Sequence, residues 1–253
     1  MFGICNLSIV PIRFEPSDRS EQVSQLLFGE HFTILEQDKK WTKIEVAFDN
    51  YIGWIDNKQY LIINEDHFNY LNNSPIVLNN DLIEYISSPN NILTPIPLGA
   101  SISFLENEQI NASNYTFDGV KICGQKEKDN LIKTAFMYLN TPYLWGGKTP
   151  FGIDCSGFTQ MGYKINGYKL LRDASEQASQ GDALSFIEES EPGDLAFFDN
   201  EEGNITHVGI MMNDNYIIHA SGKVRIDRLD HLGIYNVDTG RHTHKLRVIK
   251  KII

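Results

Sequence analysis

The spacing of apolar residues in this 253-residue chain changes near residue 126, and the two sides of that break cannot share one kind of fold. Before it, apolar runs are short and separated by turn residues: Ile9–Phe14, Val23–Phe28, Phe32–Leu35, Trp41–Phe48 and Tyr51–Ile55. Trp41-Thr-Lys-Ile-Glu-Val46 alternates with period two, the pattern of a half-buried strand. Strands this short at this spacing predict a small β-barrel over residues 1–62. Residues 63–75 are rich in Asn and end in Asn72-Asn73-Ser74-Pro75, which predicts a linker. Short runs resume over 76–125 (Ile76–Leu78, Leu82–Ile86, Ser101–Leu105, Tyr115–Ile122), punctuated by Pro89, Pro95, Pro97 and Gly99, and predict a second small barrel.

After the break, Leu131, Ile132, Ala135, Phe136 and Leu139 recur at helical spacing. Asp129 is placed to cap that helix and Pro142 to end it. A second helix is predicted from Cys155 to Gly167. Glu191-Pro192-Gly193-Asp194 reads as a turn, followed by strand-like runs at Leu195–Phe198, His207–Met212, Tyr216–Ala220, Lys223–Leu229 and Leu246–Ile252. Helices followed by a meandering sheet make residues 126–253 an α+β domain.

Charge excludes several functions. The chain carries 22 Lys+Arg against 33 Asp+Glu, net −11. Residues 1–125 are net −9 and residues 126–253 net −2, so the acidic excess sits in the first half. Neither a nucleic-acid backbone nor an anionic membrane surface would attract such a chain. No apolar run approaches the ~18 residues of a membrane span. The N-terminus, MFGICNLSIVPIRFEPSD, lacks the basic lead and clean apolar core of a secretory signal, so a cytoplasmic location is expected. Three widely spaced cysteines, Cys5, Cys123 and Cys155, fit a reducing compartment rather than a disulfide framework.

The chemistry concentrates in the glycine-punctuated loop 143–154 and the helix it enters. Cys155 stands at the predicted helix start, where free N–H groups and the positive end of the dipole stabilise a thiolate and lower the thiol pKa. A free cysteine is also commonly just a small buried residue. A nucleophilic thiol needs a base, and His207 and His219 are candidates. If Asn213-Asp214-Asn215 is the loop between their strands, His207 faces Ser221 and His219 lies two positions along on the same face. A two-residue loop would put the histidines on opposite faces. The His207–His219 spacing with one distant cysteine matches no zinc-ligand pattern, so no metal or other cofactor is expected. His242-Thr-His244 reads as a polar loop, and His31, His67 and His231 carry no assignment.

Asp154-Cys155-Ser156-Gly157-Phe158, then His207-Val-Gly-Ile, then His219-Ala-Ser resemble, in order and spacing, the NlpC/P60 family of cysteine peptidases. Thr141-Pro-Tyr-Leu-Trp-Gly-Gly147, Arg172-Asp-Ala-Ser-Glu-Gln177 and Pro192-Gly-Asp-Leu195 extend the likeness over residues 128–253. The resemblance implies a papain-like fold that cleaves bacterial cell-wall peptides. It implies Cys155 as nucleophile, His207 as base and acid, and His219 as the residue orienting His207. It places Tyr143 near the oxyanion, and Asp154, Ser156, Asp173 and Ser175 around the specificity pocket. Ala174 stands where some relatives carry Ser, and Asp173 also reads as a helix N-cap. Residues before 126 resemble SH3b domains, through Trp41 and Tyr51-Ile-Gly-Trp54.

Two SH3b-like barrels ahead of such a domain resemble the dipeptidyl-peptidase VI group. That likeness implies hydrolysis of the γ-D-glutamyl–diamino acid bond in free murein peptides, with no obligate protein partner. By motif position, Glu21 and Tyr51 would hold the ammonium of an unblocked N-terminal L-Ala, a carboxylate and an aromatic face both suiting a desolvated cation. Two competing readings are a secreted hydrolase of intact peptidoglycan and a catalytically silent peptide-binding module.

Overall fold

The computed structural model describes residues 1–107 and 114–253, which divide into two compact units, Met1–Gln125 and Lys126–Ile253. In the first unit, β1 (Phe2–Ile4), β2 (Ile9–Arg13), β3 (Gln22–Leu27), β4 (His31–Gln37), β5 (Trp41–Val46), β6 (Ile52–Asp56) and β7 (Leu61–Ile63) form one antiparallel sheet ordered β3-β2-β6-β5-β4-β1-β7. Strand β5 shows why the period-two pattern matters: Trp41, Ile44 and Val46 are buried while Lys43 and Glu45 are only partly so. Ile44 and Val46 join Val10, Ile12, Leu26, Phe32, Ile34 and Ile55 in the apolar interior. Buried Thr42 is satisfied by Asn57 Oδ1 (2.6 Å) and the Tyr60 hydroxyl (2.8 Å).

The Asn-rich segment expected to be a linker is instead helical, α1 (Glu65–Asn73). Asn64 Oδ1 accepts the His67 N–H (2.8 Å), and Glu65 and Asp66 complement the helix dipole in the first turn. Phe68 stacks on Phe2 with ring centroids 4.0 Å apart, and Leu71 is buried, so the helix has an apolar face that composition concealed.

The second run of strands makes two small sheets. Strand β8 (Val77–Asn79) pairs with β12 (Lys121–Cys123), and β9 (Ile83–Ser87) lies between β10 (Leu93–Pro97) and β11 (Thr116–Phe117). These sheets lie in the same compact unit as the first sheet. The Ser101 N–H donates to the Phe28 carbonyl (2.8 Å), and the Phe28 and Phe104 rings lie 6.0 Å apart. At this approach Gly29 has φ +76°, and a Cβ would sit 1.9 Å from the Ser101 carbonyl oxygen.

The second unit is α+β. Helix α2 (Asn130–Met137) is shorter than its apolar pattern suggests. Asp129 precedes it without a side-chain cap, and the chain leaves the helix well before Pro142, with Asn140 at φ +68°. Strands β13 (Lys148–Thr149) and β14 (Gly152–Ile153) form a hairpin that leads into α3 (Cys155–Ile165), and α4 (Ala174–Gln177) follows. Then β15 (Asp182–Ala183), β16 (Leu195–Asp199), β17 (Ile205–Met211), β18 (Tyr216–Ser221), β19 (Lys223–Asp230), β20 (Gly233–Asn236) and β21 (Arg241–Lys251) build a sheet ordered β15-β21-β16-β17-β18-β19-β20. Because β20 also pairs with β21, the sheet closes on itself. Helix α3, buried along its whole length, packs on β17 and β18. The other face encloses Ala196, Phe198, Met211, Ile217, Leu229, Ile234 and Ile249. Burial on both faces explains why β16 is a continuous apolar run rather than an alternating one. None of the described helices is long and apolar enough to cross a membrane.

Candidate active site

The helix side of the site is built around Asp154, the N-cap of α3. Its Oδ1 accepts the Gly157 N–H (2.6 Å), and its Oδ2 accepts the Gly146 N–H (2.8 Å) from the glycine loop. Arg172, 1% exposed, grips both oxygens, Nη1 to Oδ1 at 3.1 Å and Nη2 to Oδ2 at 2.6 Å. Arg172 Nη1 also donates to Ser156 Oγ (2.9 Å). The lone pairs of Asp154 are thus occupied within the protein, a carboxylate offering about four acceptor sites. Asp154 and Ser156, expected around a specificity pocket, are joined by an arginine whose role the sequence did not disclose. Asp173 is the N-cap preceding α4, where Glu176 Oε2 accepts its backbone N–H (3.2 Å) in a capping box. Ser175 is exposed on that helix.

Cys155 is the first residue of α3 and only 6% exposed. Burial and the negative charge of Asp154 push its thiol up to about 12, against the pull of the Val208 and Ser156 N–H groups and of Arg172. The expectation that the helix start lowers this pKa is therefore corrected: desolvation outweighs the dipole. Tyr143 is half-buried, and burial, then the charges of Cys155 and Asp154, raise its pKa, so its hydroxyl stays a donor.

The sheet side comes from a hairpin with the three-residue loop. Asp214 and Asn215 take φ +58° and +56°, a conformation Asn and Asp tolerate. The Met212 N–H donates to the Tyr216 carbonyl (2.8 Å), and Gly209 pairs with His219. His207 and His219 therefore share a face, with Nε2 of His207 2.8 Å from Nδ1 of His219. Behind them stands Asp227 on β19, not anticipated from sequence, whose Oδ2 lies 3.0 Å from His219 Nε2. His244, expected in a polar loop, is instead on β21 with its ring stacked on His207 at 4.2 Å. Burial, then the charges of His219 and His244, hold the His207 pKa well below its ordinary value. Burial lowers His219 as well. His244 is pushed down to about 4, first by burial and then by His219. Tyr143, His207, Ser221 and His244 are among the residues lining a pocket of 260 Å³ beside the imidazoles. Among the described residues no group of three His, Cys, Asp or Glu side chains is placed to hold a metal ion.

Of the two residues expected to hold an ammonium, Glu21 is exposed just before β3, and Tyr51, half-buried before β6, packs against the apolar interior of the first sheet.

Comparison with known proteins agrees with this architecture. Residues 140–245 match the NlpC/P60 family, and residues 12–59 match the bacterial dipeptidyl-peptidase Sh3 domain. The chain is 30% identical over 227 residues to the γ-D-glutamyl-L-lysine dipeptidyl-peptidase of Bacillus subtilis, covering 78% of this chain and 71% of the relative. It is 26% identical over 249 residues to dipeptidyl-peptidase 6 of Lysinibacillus sphaericus, covering 85% and 87%. The crystal structure of an NlpC/P60 family protein from Bacillus cereus superposes with a TM-score of 0.80 at 21% identity, covering 100% of this chain and 99% of the other, which fixes the fold. Likeness over most of the length of both chains, and not over an isolated motif, makes the assignment: this chain belongs to the NlpC/P60 family and is a cysteine peptidase.

Proposed function

We propose that this protein hydrolyses the γ-D-glutamyl–diamino acid bond of free murein peptides that carry an unblocked N-terminal L-Ala, in recycling of cell-wall peptides in the cytoplasm. The observation that carries this reading is the likeness, over 78% of this chain and 71% of the relative, to a peptidase named for the γ-D-glutamyl-L-lysine bond, joined to a buried thiol at the start of α3 and a pair of hydrogen-bonded imidazoles. Cys155 is the nucleophile and His207 its base. Both groups rest neutral, the thiol raised and the imidazole lowered by burial, so proton transfer accompanies attack rather than preceding it. The Cys155 sulfur bonds to the scissile carbonyl carbon as the thiol proton passes to His207. The Tyr143 hydroxyl and the Cys155 backbone N–H stabilise the oxyanion. His207 then protonates the departing amine, and water releases the acyl group with the proton passing back through His207. Glu21 and Tyr51 serve the substrate ammonium. A blocked N-terminus carries no charge to pair with Glu21, so stems still linked to glycan are rejected.

The test is mass spectrometry of L-Ala-γ-D-Glu-meso-diaminopimelate beside its N-acetylated form. Release of free diaminopimelate from the first alone is the expected result. Equal cleavage of both would remove the ammonium requirement and favour a hydrolase of intact wall stems.

A further inference from the structure

Asp227 is fully buried, yet its carboxylate meets four donors. Oδ2 lies 3.0 Å from His219 Nε2 and accepts Arg225 Nε at 2.6 Å. Oδ1 accepts Arg225 Nη2 at 2.9 Å and the Val237 N–H at 3.0 Å. Arg225, 14% exposed, also pairs with Asp238 (2.9 Å). We infer that Asp227 is a positioning residue that determines which nitrogens of His219 and His207 carry protons, leaving the lone pair of His207 on Nδ1 for the Cys155 proton. The inference rests on the proposed role of His207 as base.

An ionised carboxylate only accepts, so His219 Nε2 carries a proton. Neutral His219 then accepts at Nδ1, and the 2.8 Å contact there requires the proton of His207 to be on Nε2. Neutral His207 is left with its lone pair on Nδ1. A second proton on His219 would reverse the chain. Its Nδ1–H would donate to His207 Nε2, forcing the His207 proton onto Nδ1 and abolishing the base. Arg225 opposes that reversal. A lone buried carboxylate would draw a second proton onto His219, but the guanidinium already balances the Asp227 charge. Desolvation of His219, and the positive charge of Arg225, act in the same direction. The other titratable rings facing His219 are His207 and His244, with centroids 5.1 and 5.8 Å away, and both are neutral.

The test begins with the unmodified full chain, where imidazole ¹⁵N shifts report protonation of each ring nitrogen. Protons on Nε2 of both His219 and His207 are expected; a proton on His207 Nδ1 overturns the inference. In Asp227→Asn, Arg225 claims the amide oxygen and the amide NH₂ turns to His219 Nε2, moving both protons to Nδ1. The kcat should fall roughly 10⁴-fold with KM changed less than about twofold, the scale seen when the aspartate behind a catalytic histidine becomes Asn and the imidazole takes the wrong tautomer. A folded Asp227→Asn protein with unchanged tautomers, or with wild-type kcat, also overturns it. Retained turnover in His207→Ala would instead remove the base assignment while leaving the tautomer measurement standing, so the two failures are distinguishable.

Discussion

The two sides of the candidate site are each held by a buried aspartate clamped by an arginine, and they use that device differently. On the helix side, Asp154 and Arg172 tie the glycine loop to the first turn of α3, and every partner of Asp154 is a backbone N–H, a hydroxyl or the guanidinium. On the sheet side, Asp227 and Arg225 leave one carboxylate oxygen on an imidazole. The first arrangement fixes where the thiol is. The second controls where a proton is. Ion pairs alike in chemistry therefore differ in consequence because only one of them ends on an imidazole, which can carry its proton on either nitrogen.

That contrast can be broken. Arg172→Met removes the guanidinium from a pair almost sealed from water and should cost about 3–5 kcal/mol of stability, read by chemical denaturation. Arg225→Met should cost clearly less, since Asp227 keeps His219 and Val237 and Arg225 is more exposed. Equal losses would show that the two clamps do the same structural job. Asp154→Asn should accordingly lower the denaturation midpoint while leaving the imidazole tautomers unchanged, the opposite of the outcome expected for Asp227→Asn. A tautomer shift in Asp154→Asn would erase the distinction.

Acid should reveal the sheet side first. His207, His219 and His244 are held below the ordinary histidine pKa of ~6.5, so their folded forms bind protons more weakly than the unfolded chain. Their contribution to stability is full above ~6.5 and declines as pH falls toward about 4, where His244 takes its proton. For Asp227, burial is outweighed by hydrogen bonds from His219, Arg225 and Val237, which hold it at about 2. Its contribution persists until pH falls below ~3.9. Denaturation midpoints across this range should decline between pH 6.5 and 4, less steeply in His244→Phe. A flat profile in the wild type would contradict the neutral imidazole cluster. The smallest expected effect is Asn64→Ala at the α1 cap, about 1 kcal/mol, a reference for a cap that holds no charged partner.

Much of the site was legible because it rests on short-range geometry. Counting across Asn213-Asp214-Asn215 put His207 and His219 on one face before any contact was known. The same count across Gly222, where Ser221 pairs with Lys223, puts Asp227 opposite Ile217, two positions from His219, so that signal was present and unused. His244 offered no such route. Strand β21 reaches His207 through register shifts at Ile234/Tyr235 and Phe197/Phe198, which no local count anticipates. Helix α1 was hidden because Asn-rich composition suggests a loop, whereas Asn64 caps and Phe68 finds Phe2 only in the fold. The raised thiol pKa was hidden for a related reason. Position at a helix start is visible in sequence, but the burial that outweighs it is a property of the packed structure.

The central claim is that Cys155 is the attacking group. The most direct test is turnover of L-Ala-γ-D-Glu-meso-diaminopimelate by Cys155→Ala, a substitution small enough to preserve the packing of α3 on β17 and β18. The account predicts a protein with the wild-type circular dichroism spectrum and no detectable release of diaminopimelate. Wild-type turnover by that folded variant would contradict it.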